Sequence, residues 1–567
     1  MTHQEIRHKF LDFFEKRGHK IVPSSSLLPD DPSVLFTTAG MQQFKPYYTG
    51  QADAMKDFGS LNTASIQKAM RTSDIDEVGD KSHLTFFEML GNFSFGGYWK
   101  KEAIEYAYEF LTKELKLEID YVSVFEGEKD IPADEESEKI WKSVAPGIEI
   151  KKMGREDNFW GPTGNEGPCG PTSEIFVNGV EVWNLVFNEY YCHPDGKLEK
   201  LKTSGVDTGM GLDRLSTVIQ NKKNIFETDL LEPILKLAPL ELEEKVKRVI
   251  ADHSRAIAFL ISDEVQPSNK EQGYILRRLM RRIITHNFIA KADLTLMHDI
   301  FAKIAEIYGQ HYPNLNAGLI INIFDSEKEK FEKTLSHGLK ELQKLDKIDA
   351  QSAFKLYESY GLPYEIIKEL GEKKSEKLTR EKFDEEFKKH QELSRAGAEK
   401  KFGGHGLLLD TGKLRAGNEQ ELKKATRLHT ATHLLHTALR KILGNEVKQV
   451  GSDITAERLR FDFTFPRKLT NEEIKKVEDL VNEVIKKDLP VTKEEMPYEE
   501  ALKTGALSFF KLKYPPKVNV YSVGDFSKEL CGGPHVSHTG EIGKFSIKKE
   551  EAIGAGIRRI RAIVLEQ

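Results

Sequence analysis

Over residues 2–18, Ile6, Phe10, Phe13 and Phe14 recur every three or four positions among charged neighbours. This spacing predicts an amphipathic helix. To about residue 225 the chain is rich in Gly and aromatic residues. Its short apolar runs, Tyr121–Phe125 and Val182–Phe187, predict strands. Turn signals stand at Gly161-Pro162, Gly167-Pro168, Gly170-Pro171 and Pro194-Asp195-Gly196. From about 226 to 400 the apolar spacing becomes helical and Lys/Glu fill the polar positions, which predicts a mostly helical domain. The charged run Glu372–Lys401 reads as a solvated helix with its linker, and Gly403-Gly404-His405-Gly406 as a joint. A third unit, 421–567, opens with a helix over Ala425–Leu443 and closes in strand-like alternation. The expected class is α+β and multidomain, with domains at 1–225, 226–400 and 421–567 and a linker at 401–420.

Composition narrows the classes. At roughly 150 residues per domain, 567 residues suggest three or four domains. The net charge of −6 argues against a chain that coats nucleic acid along its whole length, though not against a local basic patch. Three cysteines make no disulfide framework, so a reducing compartment is expected. The charged N-terminal segment has no signal-peptide core, and no run is long enough to span a bilayer, so a cytoplasmic protein without a membrane partner is expected.

The clearest chemistry by spacing lies in the third unit. His429-Thr-Ala-Thr-His433 puts two imidazoles on one face of a helix, one turn apart. Cys531-Gly-Gly-Pro-His535 can turn tightly enough for its thiolate and imidazole to converge. Together they form a nitrogen–sulfur set suited to Zn2+. His436 and His538 stand close enough in sequence to compete as ligands. No Glu follows His429, so an H-E-x-x-H metalloprotease is disfavoured. Cys192-His193, adjacent in sequence, reads as structural.

Several ordered motifs carry a resemblance. After Arg71 come Thr85-Phe-Phe-Glu-Met-Leu-Gly-Asn-Phe-Ser-Phe-Gly-Gly-Tyr98 and Asn158-Phe-Trp-Gly-Pro-Thr-Gly164. Gly167-Pro-Cys-Gly-Pro-Thr-Ser-Glu174, Val182-Trp-Asn-Leu-Val-Phe-Asn188 and Asp207-Thr-Gly-Met-Gly-Leu-Asp-Arg214 follow. With the His/Cys pairs, this set resembles the alanyl-tRNA synthetases from about residue 2 to the end. The resemblance implies a class II synthetase core with an antiparallel sheet, a helical tRNA-recognition domain and an α+β, zinc-containing editing domain. Its substrates would be L-alanine, ATP with Mg2+, and tRNA-Ala.

By that resemblance Arg71 and Arg214 clamp ATP phosphates, where a permanently charged guanidinium suits the charge of the transition state. Phe87 stacks on adenine, Glu174 helps hold ATP or Mg2+, Trp160 and Asn184 close the alanine pocket, and Asp207 pairs with the α-ammonium. The editing site falls at His429, His433, Cys531 and His535, with Gln449 nearby. Such a second site is expected physically. One methylene separates alanine from glycine, about 1–3 kcal/mol of discrimination, and a hydroxyl separates it from serine.

Arg277, Arg278, Arg281 and Arg282 fall on about two turns of helix and read as a basic stripe for phosphates. Asn287 resembles the family residue that reads a G·U pair, and Glu358 stands where relatives commonly carry Asp. The loop Thr72–Leu84 is shorter than in familiar relatives. The stretch from Gly361 to His429 is too short for the β-barrel that usually precedes the editing site, and the chain stops at Gln567. A monomer is therefore expected. Arg71, Asp207 and Arg214 weigh against two alternatives, a deacylase without activation and a non-catalytic RNA-binding paralogue.

Overall fold

The structure is a computed structural model describing residues 1–389 and 419–567, apart from 32, 130, 294, 508–516, 555, 566 and 567. The joint at 403–406 and the 401–420 linker, but for its last two residues, lie outside the described residues. Contacts divide the chain into two compact units, Met1–Arg380 and Glu381–Gln567. Residues 226–380 of the expected 226–400 helical domain thus fall in the same unit as the sheet.

The first unit begins with α1 (His3–Glu15), where Thr2 and Glu5 form a capping box and Ile6, Phe10, Phe13 and Phe14 are buried. Its sheet uses β1 (Lys20–Ile21), β2 (Asn62–Met70), β3 (Phe86–Ser94), β4 (Tyr121–Phe125), β5 (Glu149–Met153), β6 (Phe159–Trp160), β7 (Gly167–Val177), β8 (Val180–Cys192) and β9 (Leu198–Gly211). The order is β1-β2-β3-β9-β8-β7-β4-β5, with β6 paired to β7. The pairs from β2 to β4 are antiparallel, and only the two ends are parallel.

Local chemistry explains the hairpins. Asn178 and Gly179 have φ of 51° and 72°, the left-handed pair that a tight two-residue β turn requires. Pro194-Asp195-Gly196 turns β8 into β9, as expected, with His193 N donating to Lys197 O. The turns expected at Gly167-Pro168 and Gly170-Pro171 are not formed. Both pairs lie inside β7, whose register slips between Cys169 and Thr172. Pro171 falls in this slip, free of the β8 ladder it cannot donate to, while Pro168 stays in register opposite Tyr191. Gly170 is needed for another reason: a Cβ there would sit 1.8 Å from Phe187 O of the neighbouring strand.

Helix α2 (Leu212–Ile219) follows β9, and then come α3 (Glu244–Ser262), α4 (Glu271–Ala290), α5 (Leu296–Tyr308), α6 (Ala317–Lys344), α7 (Ala350–Tyr360) and α8 (Tyr364–Gly371). Helix α3 reaches the sheet: Phe259 stacks on Phe86 of β3 with centroids 4.1 Å apart.

In the second unit, α9 (Glu419–Leu443) packs against α10 (Asn471–Lys486). One antiparallel sheet orders β10 (Gln449–Ile454), β11 (Leu459–Thr464), β16 (Ile557–Leu565) and β15 (Lys544–Gly554) side by side. A second joins β12 (Val491–Pro497), β13 (Lys517–Val523) and β14 (Ser527–Leu530). Leu428, Leu435 and Leu439 of α9 share a core with Phe461, Val481, Phe545 and Ile560. Among the described residues, no helix is long and apolar enough to cross a membrane.

Candidate functional site

A cavity of about 330 Å3 opens over the sheet of the first unit. It is lined by all seven residues expected there: Arg71, Phe87, Trp160, Glu174, Asn184, Asp207 and Arg214. Strand periodicity explains the convergence. Phe87 and Met89 alternate along β3, Val182, Asn184 and Val186 along β8, and Asp207, Gly209 and Gly211 along β9. Asn184 lies opposite Glu174, and Asp207 opposite Val186. Arg71 directly follows β2, and its guanidinium lies over the Phe87 ring, 5.1 Å from the centroid. Arg214 sits in the first turn of α2 and donates to Glu181 Oε2 at 2.7 Å.

The cavity lining carries both signs of charge, with Arg71 and Arg214 among the carboxyls of Glu174, Glu181 and Asp207. Asp207 is 5 % exposed, and burial pushes its carboxyl up to about 8. Burial likewise raises Glu174 to about 8, helped by the negative charges of Glu181 and Asp157. Glu174 accepts from Asn184 Nδ2 at 3.0 Å. Burial favours the neutral form of each carboxyl, and an opposite charge placed beside it would favour the carboxylate. Glu181, Asp157 and Asp213 also line the cavity. Residue spacing did not mark them, although Asp213 adjoins Arg214 in the segment Asp207–Arg214.

In the second unit, His429, His433, Cys531 and His535 offer ligand atoms that all lie within 4.8 Å of one another. Cys531 Sγ is 3.3 Å from His429 Nε2 and 3.5 Å from His535 Nε2. The outer nitrogens are occupied. His429 Nδ1 donates to Pro534 O at 3.0 Å. The Thr430 hydroxyl donates to Thr426 O and lies 3.2 Å from His535 Nδ1. His433 Nδ1 faces Glu529 Oε2 at 3.5 Å. All three imidazoles therefore turn Nε2 inward, the orientation that a ligand's outer hydrogen bond fixes. Gly533 makes room for the turn, since a Cβ there would come within 2.4 Å of His429 Cε1.

Burial alone would raise the Cys531 thiol, but His429 and His433 hold it well below its ordinary value. Burial, together with the charge on His433, lowers His535 to about 3 and keeps it neutral. A thiolate and a neutral imidazole are the forms that coordinate metal. Cys531 and His535 already hold them, whereas, against burial, Glu529 and Cys531 push His433 up to about 9, so a metal ion would displace its proton. The two competing histidines stand outside the group. His436 Nδ1 pairs with Glu529 Oε1 at 2.8 Å, and His538 lies beside Asp488. Neither Glu529 nor Tyr521, whose ring lies 4.2 Å from that of His535, was expected from sequence. Gln449 opens β10 opposite Phe463.

A family model described as "tRNA synthetases class II (A)" matches residues 5–451. A second, "Threonyl and Alanyl tRNA synthetase second additional domain", matches 518–561. The chain is 44% identical to the alanine–tRNA ligase of Borrelia hermsii over 609 aligned positions, covering 100% of both chains. It is also 44% identical to that of Treponema denticola, covering 99% of that protein. The relative from Fervidobacterium nodosum is 38% identical, and 80% of its length is covered. The chain belongs to the alanine–tRNA ligase family.

Within this family member, the expected arginine stripe needs correction. Arg278, on α4, is held by Glu365 and by Asp76, the latter at 2.5 Å. Arg281 donates to Glu327 at 2.8 Å and to Gly361 O. Arg282 is fully buried and donates to Ile75 O and Glu369, both at 2.7 Å. These three are internal ties, not an open phosphate-facing stripe, because carboxylates from other helices claim them, Glu327 and Glu365 buried and Glu369 partly so. Arg277 is half-buried beside Tyr357. Asn287 is 1 % exposed and donates to Ile283 O of its own helix, so its side chain is not presented for base reading. Glu358 is exposed on α7.

Proposed function

We propose that the chain charges tRNA-Ala with L-alanine at the first-unit cavity and hydrolyses mischarged tRNA at the His/Cys centre of the second. One observation carries this reading. Seven residues, far apart in sequence, line one cavity in a chain 44% identical over its full length to an alanine–tRNA ligase. Asp207 binds the α-ammonium of alanine, with Trp160 and Asn184 around its methyl group. An alanine carboxylate oxygen forms a bond to the α-phosphorus of ATP, and the bond to the β-phosphate oxygen breaks, releasing pyrophosphate. Arg71 and Arg214 stabilise the charge that builds on the phosphates, and the preorganised guanidiniums favour the transition state over the ground state. Phe87 supports adenine, and Glu174 would hold the Mg2+ that accompanies ATP and neutralises its phosphates. A terminal tRNA hydroxyl then attacks the carbonyl carbon and expels AMP. Arg277 and Glu358 are the retained candidates for tRNA contact, and charging takes place in the cytoplasm.

Serine and glycine differ too little from alanine for one pocket to exclude them. Ser-tRNA and Gly-tRNA are therefore cleaved at the second site. His429, His433, Cys531 and His535 would hold Zn2+, which supplies a Lewis-acid centre. Glu529, Thr430 and Pro534 O orient the imidazoles, and Gln449 contributes beside them.

The test uses the full chain with Cys531→Ala. Alanine-dependent ATP–pyrophosphate exchange should be unchanged, while deacylation of seryl-tRNA falls about a hundredfold, the scale on which a damaged metal shell acts. Unchanged deacylation would overturn the editing assignment. Wild-type protein without alanine-dependent exchange would overturn the ligase assignment.

A further inference from the structure

The cavity residues do not hold themselves in place, and what lies behind them is charged. Arg255 of α3 is fully buried and does not itself line the cavity. Its Nη2 donates to Phe86 O at 2.6 Å, and its Nη1 donates to Asp213 Oδ1 at 2.7 Å and to Tyr308 Oη at 2.9 Å. Phe86 precedes Phe87, and Asp213 precedes Arg214. One guanidinium therefore joins the carbonyl that leads into the proposed adenine platform to the side-chain carboxylate of the residue before the proposed phosphate clamp.

Two further contacts from α3 act on the same stretch. Asp252, three residues before Arg255, accepts from Thr85 N at 2.9 Å. Phe259, one turn after it, stacks on Phe86. The helix thus holds the start of β3 through an amide, a carbonyl and a ring. Strand alternation turns Phe86 toward α3 and Phe87 toward the cavity. The alanine-facing residues Trp160, Asn184 and Asp207 lie on β6, β8 and β9, outside this grip.

We infer that Arg255 is a positioning residue for ATP, fixing Phe87 and Arg214 relative to each other while touching neither substrate. This rests on the assignment of the cavity to alanine and ATP. A planar guanidinium can serve a carbonyl, a carboxylate and a hydroxyl at fixed angles, whereas an ammonium offers one rotating point charge. Burying the charge is tolerated because Asp213 neutralises it at hydrogen-bond distance.

The experiment is ATP–pyrophosphate exchange on the full chain, with ATP and alanine varied separately. Arg255→Lys should raise KM for ATP about tenfold and leave KM for alanine within about twofold, as expected when a geometry specific to one substrate is lost. Tyr308→Phe removes one partner of the guanidinium with little change of volume. It should raise KM for ATP about threefold, roughly the worth of one hydrogen bond. Seryl-tRNA deacylation, in the other unit, should not move in either variant. If Arg255→Lys loses its cooperative melting transition, Tyr308→Phe decides. The inference is overturned if the two KM values rise by the same factor, or if neither rises, in folded protein. A wild-type chain lacking exchange would instead sink the cavity assignment.

Discussion

The two sites bury ionisable groups in opposite ways. Asp207 stands in the first-unit cavity with burial as the cause of its shift to about 8. Glu529 is just as deeply buried, and burial pushes it upward too, but His433 and His436 pull it below its ordinary value. Among the described residues, one carboxyl has no compensating cation; the other is already spoken for. The contrast separates a substrate-binding group, which waits for an ammonium, from a supporting group, which holds a ligand in register. A desolvated carboxyl favours its neutral form until an opposite charge arrives.

If the contrast holds, Asp207→Asn should have the largest effect. It removes one member of a buried ion pair, costing about 3–5 kcal/mol, or about a thousandfold in kcat/KM for alanine. Exchange kinetics will measure this, and deacylation should be untouched. An equal loss of both activities would mean that Asp207 supports the fold instead of the substrate.

Glu529→Gln sharpens the other side. The amide keeps the size of the side chain and loses its charge, so metal affinity should fall about 10–100-fold, as for other carboxylates behind a ligating histidine. Competition with a chromogenic chelator gives the affinity directly, and alanine-dependent exchange serves as the internal control. Unchanged affinity would reduce Glu529 to a core residue.

The smallest effect is graded by pH. With Asp207 and Glu174 both near 8, the unliganded cavity holds protons at neutral pH. Alanine needs the Asp207 carboxylate, so kcat/KM should climb with pH by at most about tenfold per unit and level off above about pH 8. Stability carries the opposite sign. A carboxyl with a raised folded pKa binds protons more tightly when folded, so this contribution is lost as pH rises from about 4 through about 8. Melting temperature followed across that window, with and without alanine, will show whether the ligand offsets the loss.

Much of the local structure was legible from sequence. The apolar spacing of Ile6, Phe10, Phe13 and Phe14 marked the buried face of α1, and Tyr121–Phe125 is a strand with those bounds. The His429/His433 spacing announced a shared helical face, since both periodicities are local. Pro171 of β7 misled because a bulge takes it into the strand without a turn. The four-arginine run was misread because helical spacing says nothing about what lies opposite. Glu327 and Glu365, which claim Arg281 and Arg278, stand 46 and 87 positions further along the chain.

The sequence by itself determined residue types, their local spacing and, through an ordered set of motifs, the family. Only the tertiary structure decided which charged groups meet. It carried Cys531 to 3.3 Å from His429 across 102 positions and set Glu529 rather than solvent behind His433. It also turned three arginines inward and placed Arg255 behind Phe86 and Asp213. Charge interactions depend on distance and burial, and both are fixed only when remote segments pack.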